Sequence, residues 1–161
     1  MKIFVTSNLQ LGRPSVITKY KRPYTSVDQM TDDLVVKWNE TVTQDDVVYH
    51  LGNFAHDPKT AQDAINRLNG TIKFIEGDFD QAIALLNEKG MLPSRCSIVK
   101  CIEVIEDLQC AVSYWPLGAW PNKSKKFWSI IGYPDKRYKS DPKNRTINTS
   151  TDFWANRPQE L

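Results

Sequence analysis

The stretch Asp46-Val47-Val48-Tyr49-His50-Leu51-Gly52-Asn53 decides the fold. A nearly continuous apolar run that stops at a glycine reads as a buried strand. Upstream, Lys2 to Thr6 alternates and reads as another strand. Between the two, Ser26 can cap a helix reaching about Val42, whose apolar positions Met30, Leu34 and Trp38 recur every four residues. Downstream, Pro58 stands in the first turn of a short helix carrying Ala61, Ile65 and Leu68, with Gly70 placed to stop it. Thr71 to Ile75 is a third strand. After Gly77 a helix runs from about Asp80 to Lys89, where Gly90 ends it. Strand and helix alternate three times, which predicts an α/β layer with parallel pairing. Beyond Pro93 the pattern turns to β: Ser97 to Ile105, Gln109 to Tyr114, Phe127 to Ile131 and Arg145 to Thr149 read as strands, with Glu106-Asp107 as a hairpin turn. Two sheets with helices outside satisfy both halves.

The chain has 161 residues and no repeat, linker or low-complexity tract, so one domain over 1–161 is expected. Apolar residues at 40% and charged residues at 25% exclude a disordered chain, and no apolar run approaches a membrane span. Met1 to Val5 goes straight into a strand without the apolar stretch of a signal peptide, which predicts a cytoplasmic protein. Cys96, Cys101 and Cys110 contain no Cys-x-x-Cys pair, so neither a zinc ribbon nor a disulfide framework is expected. Charge is unevenly spread. Residues 122–145 carry eight basic residues, Lys123, Lys125, Lys126, Lys136, Arg137, Lys139, Lys143 and Arg145, against Asp135 and Asp141; residues 28–63 carry eight acids against Lys37 and Lys59. This describes either two solvated faces or a basic rim that steers an anionic partner. Only two histidines occur, His50 and His56.

In an α/β sheet, chemistry gathers in the loops after the strands. Those loops are Ser7-Asn8-Leu9-Gln10, Gly52-Asn53-Phe54, Gly77-Asp78-Phe79-Asp80, Ser113-Tyr114-Trp115-Pro116 and Gly132-Tyr133-Pro134-Asp135. Further landmarks are Lys19-Tyr20 with Arg22-Pro23-Tyr24, Trp38-Asn39, Arg67-Leu68-Asn69-Gly70, Trp120, and Asn148 followed by Asp152-Phe153-Trp154 and Arg157-Pro158. In this order and spacing the chain resembles the calcineurin-like metallophosphoesterases, in their small phage and bacterial form. The resemblance implies a four-layer α-β-β-α sandwich. It also implies a centre in which Asp, His and Asn from five loops hold two divalent metals that activate a hydroxide.

Set against that pattern, the ligand positions are changed. The Asp-x-His of the first loop reads Asn8-Leu9-Gln10, the Gly-Asp of the second Gly52-Asn53, and the Gly-Asn-His-Asp of the third Gly77-Asp78-Phe79-Asp80. The fourth-loop histidine is Tyr114, and the closing Gly-His-x-His is Gly132-Tyr133-Pro134-Asp135. Neutral amides and phenols are poor ligands for divalent ions. The resemblance therefore implies a degenerate, non-catalytic relative with no cofactor, in which Asp80 alone keeps the family's residue. His50 reads as a packing or hydrogen-bonding residue and His56 as a surface one.

Phe79, Tyr114, Trp115, Tyr133 and Trp120 are expected to converge on the former cleft, flanked by Lys123, Lys125, Lys126, Lys136 and Arg137. They either fill the space of the lost ions or form a binding surface. The favoured reading is a protein-binding molecule, in the phage setting one that modulates a host enzyme or defence factor. The alternatives are a nucleic-acid or nucleotide binder using the basic stretch 123–145, and a weak phosphoesterase with one metal held by Asp78, Asp80 and Asp135. The C-terminal Asp152 to Pro158 packs either on its own domain or on a second copy.

Overall fold

The computed structural model describes all 161 residues. Four parallel strands, β1 (Ile3–Thr6), β2 (Val47–Leu51), β3 (Thr71–Ile75) and β4 (Cys96–Val99), form the first sheet; β9 (Gln159–Glu160) joins antiparallel, giving the order β4-β3-β2-β1-β9. The second sheet runs β5 (Ile102–Ile105), β6 (Cys110–Ser113), β7 (Trp128–Ile131) and β8 (Thr146–Asn148), with β5 antiparallel to β6 and the other pairs parallel. Four helices cover the first sheet: α1 (Ser15–Lys19), α2 (Val27–Thr41), α3 (Pro58–Arg67) and α4 (Gln81–Glu88). The expected caps are in place. Ser26 Oγ accepts from Gln29 N, Pro58 occupies the first turn of α3, and Asp57 accepts from Thr60 N.

The apolar run at β2 is explained by burial on both faces. Val48 and His50 turn toward the helices; Tyr49 and Leu51 turn toward the second sheet. One core joins Met30, Leu34, Trp38 and Ile65 of the helices to Phe4, Val48, Ile72 and Phe74 of the first sheet. A second lies between the sheets, around Val5, Leu51, Ile75, Val112 and Ile130.

Two expectations change here. Ser97 to Ile105 is two strands in different sheets. The chain turns at Cys101, whose φ is 59°, with Ile102 N donating to Lys100 O at 2.6 Å. A period-two apolar pattern is the same on either side of such a crossing, so it cannot reveal the break. The four-layer sandwich also lacks its last helical layer. No α-helix follows Glu88, and the outer face of the second sheet is covered by coil and short 3₁₀ turns, including Lys123–Lys125 and Pro142–Asn144. That face mixes Ala111, Ser113, Ser129 and Asn148 with Ile131, and the covering coil packs Trp120 and Phe127 against it beside Ile102 and Val104, without an apolar helical stripe. The molecule is thus a mixed α/β fold of two sheets with helices on one side. Helix α1 and strand β9 are additions; both are too short to leave a periodic signal.

The C-terminal segment packs on its own domain. Leu161 N donates to Ile3 O (2.9 Å), and Asp152 receives the buried Arg22 guanidinium at 2.8 and 3.0 Å. Arg22 also donates to the carbonyls of Asn8 (2.6 Å) and Leu9 (2.7 Å). Landmarks far apart in sequence therefore meet under the first loop. No helix is long and apolar enough to cross a membrane.

Candidate functional site

The five loops converge at the carboxyl ends of β1, β2, β3, β6 and β7. Asn8 (φ 59°), Gln10 (φ 49°) and Asn53 (φ 62°) occupy the left-handed region, which asparagine tolerates better than most residues. These sharp turns lay the first two loops side by side, with Asn8 N, Gln10 N and Leu11 N donating to the carbonyls of Gly52, Asn53 and Phe54, each at 2.9 Å. Gly132 presses its loop against β2 so closely that a Cβ there would strike the Leu51 carbonyl.

At the centre stands a chain of hydrogen bonds. Asn53 Nδ2 donates to Asn8 Oδ1 (2.9 Å) and to the Tyr114 hydroxyl (3.0 Å), and that hydroxyl donates to Asp78 (2.8 Å). Asn53 Oδ1 accepts from Phe79 N (3.0 Å). Asn8 Nδ2 donates to Ser7 Oγ (3.0 Å) and to the Gly132 carbonyl. Asn8, Asn53 and Tyr114 are all buried. Burial, reinforced by the bond to Asp78, pushes the Tyr114 hydroxyl well above the ordinary phenol range, so it remains a neutral donor.

Asp80 is engaged differently. Its carboxylate accepts from Asn53 N and Gly77 N at 2.6 Å and from Phe54 N at 2.8 Å, tying the second loop to the third. Burial raises its carboxyl above the usual range against the pull of these amides. Asp135 turns outward to Arg137 (2.6 Å), which holds it below the usual range. The three carboxylates weighed as a one-metal site therefore do not meet, and no group of three or more His, Cys, Asp or Glu could hold a metal. The residues at the ligand positions do not fit a binuclear centre. Asn8, Asn53 and the Tyr114 phenol satisfy one another, and the one carboxylate joined to them, Asp78, already accepts from that phenol.

The aromatic residues divide. Tyr114, at 1% exposure, is part of the plug and not of a surface, because its hydroxyl is drawn in by Asn53 and Asp78. Trp120 leaves the cleft altogether: it packs with Ala111 and Phe127 on the outer face of the second sheet and donates to Phe127 O (2.9 Å). Trp115 and Phe79 are about half exposed, and Tyr133 is half-buried against Tyr114 and Trp115, with centroids at 5.5 and 5.1 Å. Phe79 is stacked by the Arg13 guanidinium (4.1 Å), a partner with no sequence signal beyond its type. Open space remains above the plug, about 360 Å³ lined by Lys19, Tyr20, Asp78, Phe79, Tyr133 and Asp135 among others.

The basic stretch also divides. Lys136 and Arg137 follow β7 at its cleft end, whereas Lys123, Lys125 and Lys126 precede it and lie at the opposite end. All five are exposed. His56 is exposed as expected. His50 is fully buried between Phe54 and Phe74, with neither ring nitrogen partnered, and burial lowers its pKa to about 3.

No family model matches the chain. The uncharacterized protein MJ1445 of Methanocaldococcus jannaschii is 32% identical over 83 residues, covering 50% of this chain and 47% of that protein. The chain thus spans about half the length of this curated relative. The crystal structure of AQ665, a protein of unknown function from Aquifex aeolicus, superposes with a TM-score of 0.73 at 14% identity, over 99% of this chain and 95% of that one. This second likeness is one of fold. It extends over both sheets, so the ring of five loops belongs to an architecture that occurs elsewhere.

Proposed function

We propose that this chain is a non-hydrolysing relative of the calcineurin-like metallophosphoesterases, in which a neutral hydrogen-bonded plug replaces the binuclear centre and the protein acts by binding a macromolecule. The observation that carries this reading is the closed network Asn8–Asn53–Tyr114–Asp78, with Asp80 consumed by three backbone amides. A metal hydroxide needs cations held by anionic and imidazole donors, and the donors at these positions are spent on one another. The two-sheet core and the five-loop convergence support the family relationship, with coil in place of the last helical layer. Binding is what the rim retains: half-exposed Phe79 and half-buried Tyr133 line the open space above the plug, and half-exposed Trp115 packs against Tyr133 beside it, aromatic types that favour interface anchors.

The test is metal titration by calorimetry with Mn²⁺, Mg²⁺ and Ni²⁺, together with turnover of a phosphodiester and a phosphomonoester. The expected result is neither stoichiometric binding at the cleft nor turnover above buffer. Saturable Mn²⁺ binding that is abolished by Asp78→Asn and accompanied by turnover would overturn the proposal.

A further inference from the structure

Where a fourth, helical layer was expected, the coil leaves a groove of about 450 Å³ over the outer face of the second sheet. Ile131 and Thr146 come to it from strands, Leu117 from one covering loop, and Tyr138 and Lys139 from the other. At its cleft end stands a ladder of rings. Tyr138 is 41% exposed and meets Tyr133 edge-on at 5.6 Å; Tyr133 in turn lies at 5.1 Å and 31° from the half-exposed Trp115. The ladder is held from beneath by Asn148, fully buried, whose Nδ2 donates to the carbonyls of Tyr133 and Tyr138 at 2.7 Å each. Its Oδ1 accepts from Ser150 N (2.9 Å), so the asparagine is saturated and the rings are preorganised.

The charge around the groove is predominantly basic: Arg137 and Lys139 line it with Asp141, and Lys136 and Lys143 lie close to these in sequence. The two carboxylates of the basic stretch are occupied: Asp135 by Arg137, and Asp141 by the backbone amides of its own 3₁₀ turn. Lys136, Lys139 and Lys143, and Lys123 at the far end, have no carboxylate partner. The acidic stretch pairs elsewhere, Asp32 with Arg67, Asp33 with Lys37 and Glu40 with Arg157. Lysine is depleted at protein interfaces but meets phosphate as a point charge, and exposed stacked rings accept any base. From this juxtaposition we infer that the groove and ring ladder bind single-stranded nucleic acid, with phosphates along the lysines and bases against Trp115 and Tyr138. The inference rests on the non-hydrolysing reading above and names the partner of that binder.

The test is fluorescence anisotropy of the full chain with a labelled oligothymidylate. Contacts from Lys136, Lys139 and Lys143 predict a roughly 20-fold weakening between about 50 and 200 mM salt. Trp115→Ala and Tyr138→Ala should each weaken binding about 5- to 150-fold, whereas Tyr138→Phe keeps it. Lys136→Ala with Lys139→Ala, exposed positions that leave folding intact, should flatten the salt slope by about 1.4. Absence of binding at low salt overturns the inference. So does affinity unchanged by the ring variants, equal displacement by inorganic polyphosphate, which has no bases, or a Trp115-dependent protein partner in a chain that ignores the oligonucleotide. Cleavage of a bound oligonucleotide with Mn²⁺ would instead overturn the non-hydrolysing reading and leave this surface standing.

Discussion

Replacing Asn53 by aspartate restores the residue the resemblance implies at that position, and the structure predicts that the fold will resist it. The Asn53 side chain makes three hydrogen bonds while buried: two donated, to Asn8 Oδ1 and the Tyr114 hydroxyl, and one accepted from Phe79 N. A carboxylate keeps the third and loses both donations. Tyr114 can rotate its proton away from Asp78 toward the new oxygen. Asn8 cannot answer by turning, because its Nδ2 is held by Ser7 Oγ and the Gly132 carbonyl. A buried carboxylate with no counter-cation would then face a carbonyl-type oxygen across what was a 2.9 Å hydrogen bond, close to the Asp80 carboxylate that Asn53 N already serves. Uncompensated buried charge of this kind costs about 3–5 kcal/mol. At this chain length that lowers Tm by roughly 6–20 °C. The sign with pH follows from burial. The introduced acid has a folded pKa above its unfolded value, so the folded variant binds more protons in that window, and its deficit grows as pH rises and eases as pH falls. Tryptophan-fluorescence melts of Asn53→Asp and wild type at pH 5 and pH 7, with chelator present, measure both effects. A variant melting within about 2 °C of wild type at pH 7, or one whose deficit does not ease at pH 5, would refute the network as the reason the site is neutral.

Three further outcomes are expected. Asp80→Ala strands three N–H groups, those of Asn53 and Phe54 buried at about 1–3 kcal/mol each and that of Gly77 half-buried, partly offset by relief of the carboxylate's desolvation, so urea unfolding should show a loss of a few kcal/mol while Asp135→Ala changes little. His50→Phe should flatten the acid limb of stability. The native histidine stays neutral down to about pH 3 while the unfolded one protonates below its ordinary 6.5, costing wild type about 1.4 kcal/mol per pH unit in between; urea midpoints from pH 7 to pH 4.5 compare the two. Arg22→Lys keeps the charge but cannot reproduce the fork to Asp152 together with the two loop carbonyls, and thermal melts should show a loss of about 1–3 kcal/mol.

The first half of the fold was legible because its signals are local. Ser26, Pro58 and Gly70 punctuate the helices, and β1, β2 and β3 are continuous enough to read. The second half was legible as strands only, since coil covering a sheet face leaves no periodic pattern, and the crossing at Cys101 is hidden inside an alternating run. At the site, the loop positions were legible and their directions were not. Tyr114 and Trp120 looked alike as aromatics near a cleft, but the first is drawn into the plug and the second is carried to the far face by the loop that Trp115 begins.

By itself, the sequence determined the residue chemistry at the ring of loops: amides, phenols and a phenylalanine where the resembled family has carboxylates and imidazoles. Residue types are local facts. Only the tertiary structure decided that the amides and phenol satisfy each other, that Asp78, Asp80 and Asp135 point to three different partners, and that the basic stretch splits between the two ends of β7. Those outcomes depend on which loops meet across two sheets, and hydrogen-bond partners separated by up to 124 residues leave no trace in the spacing of either.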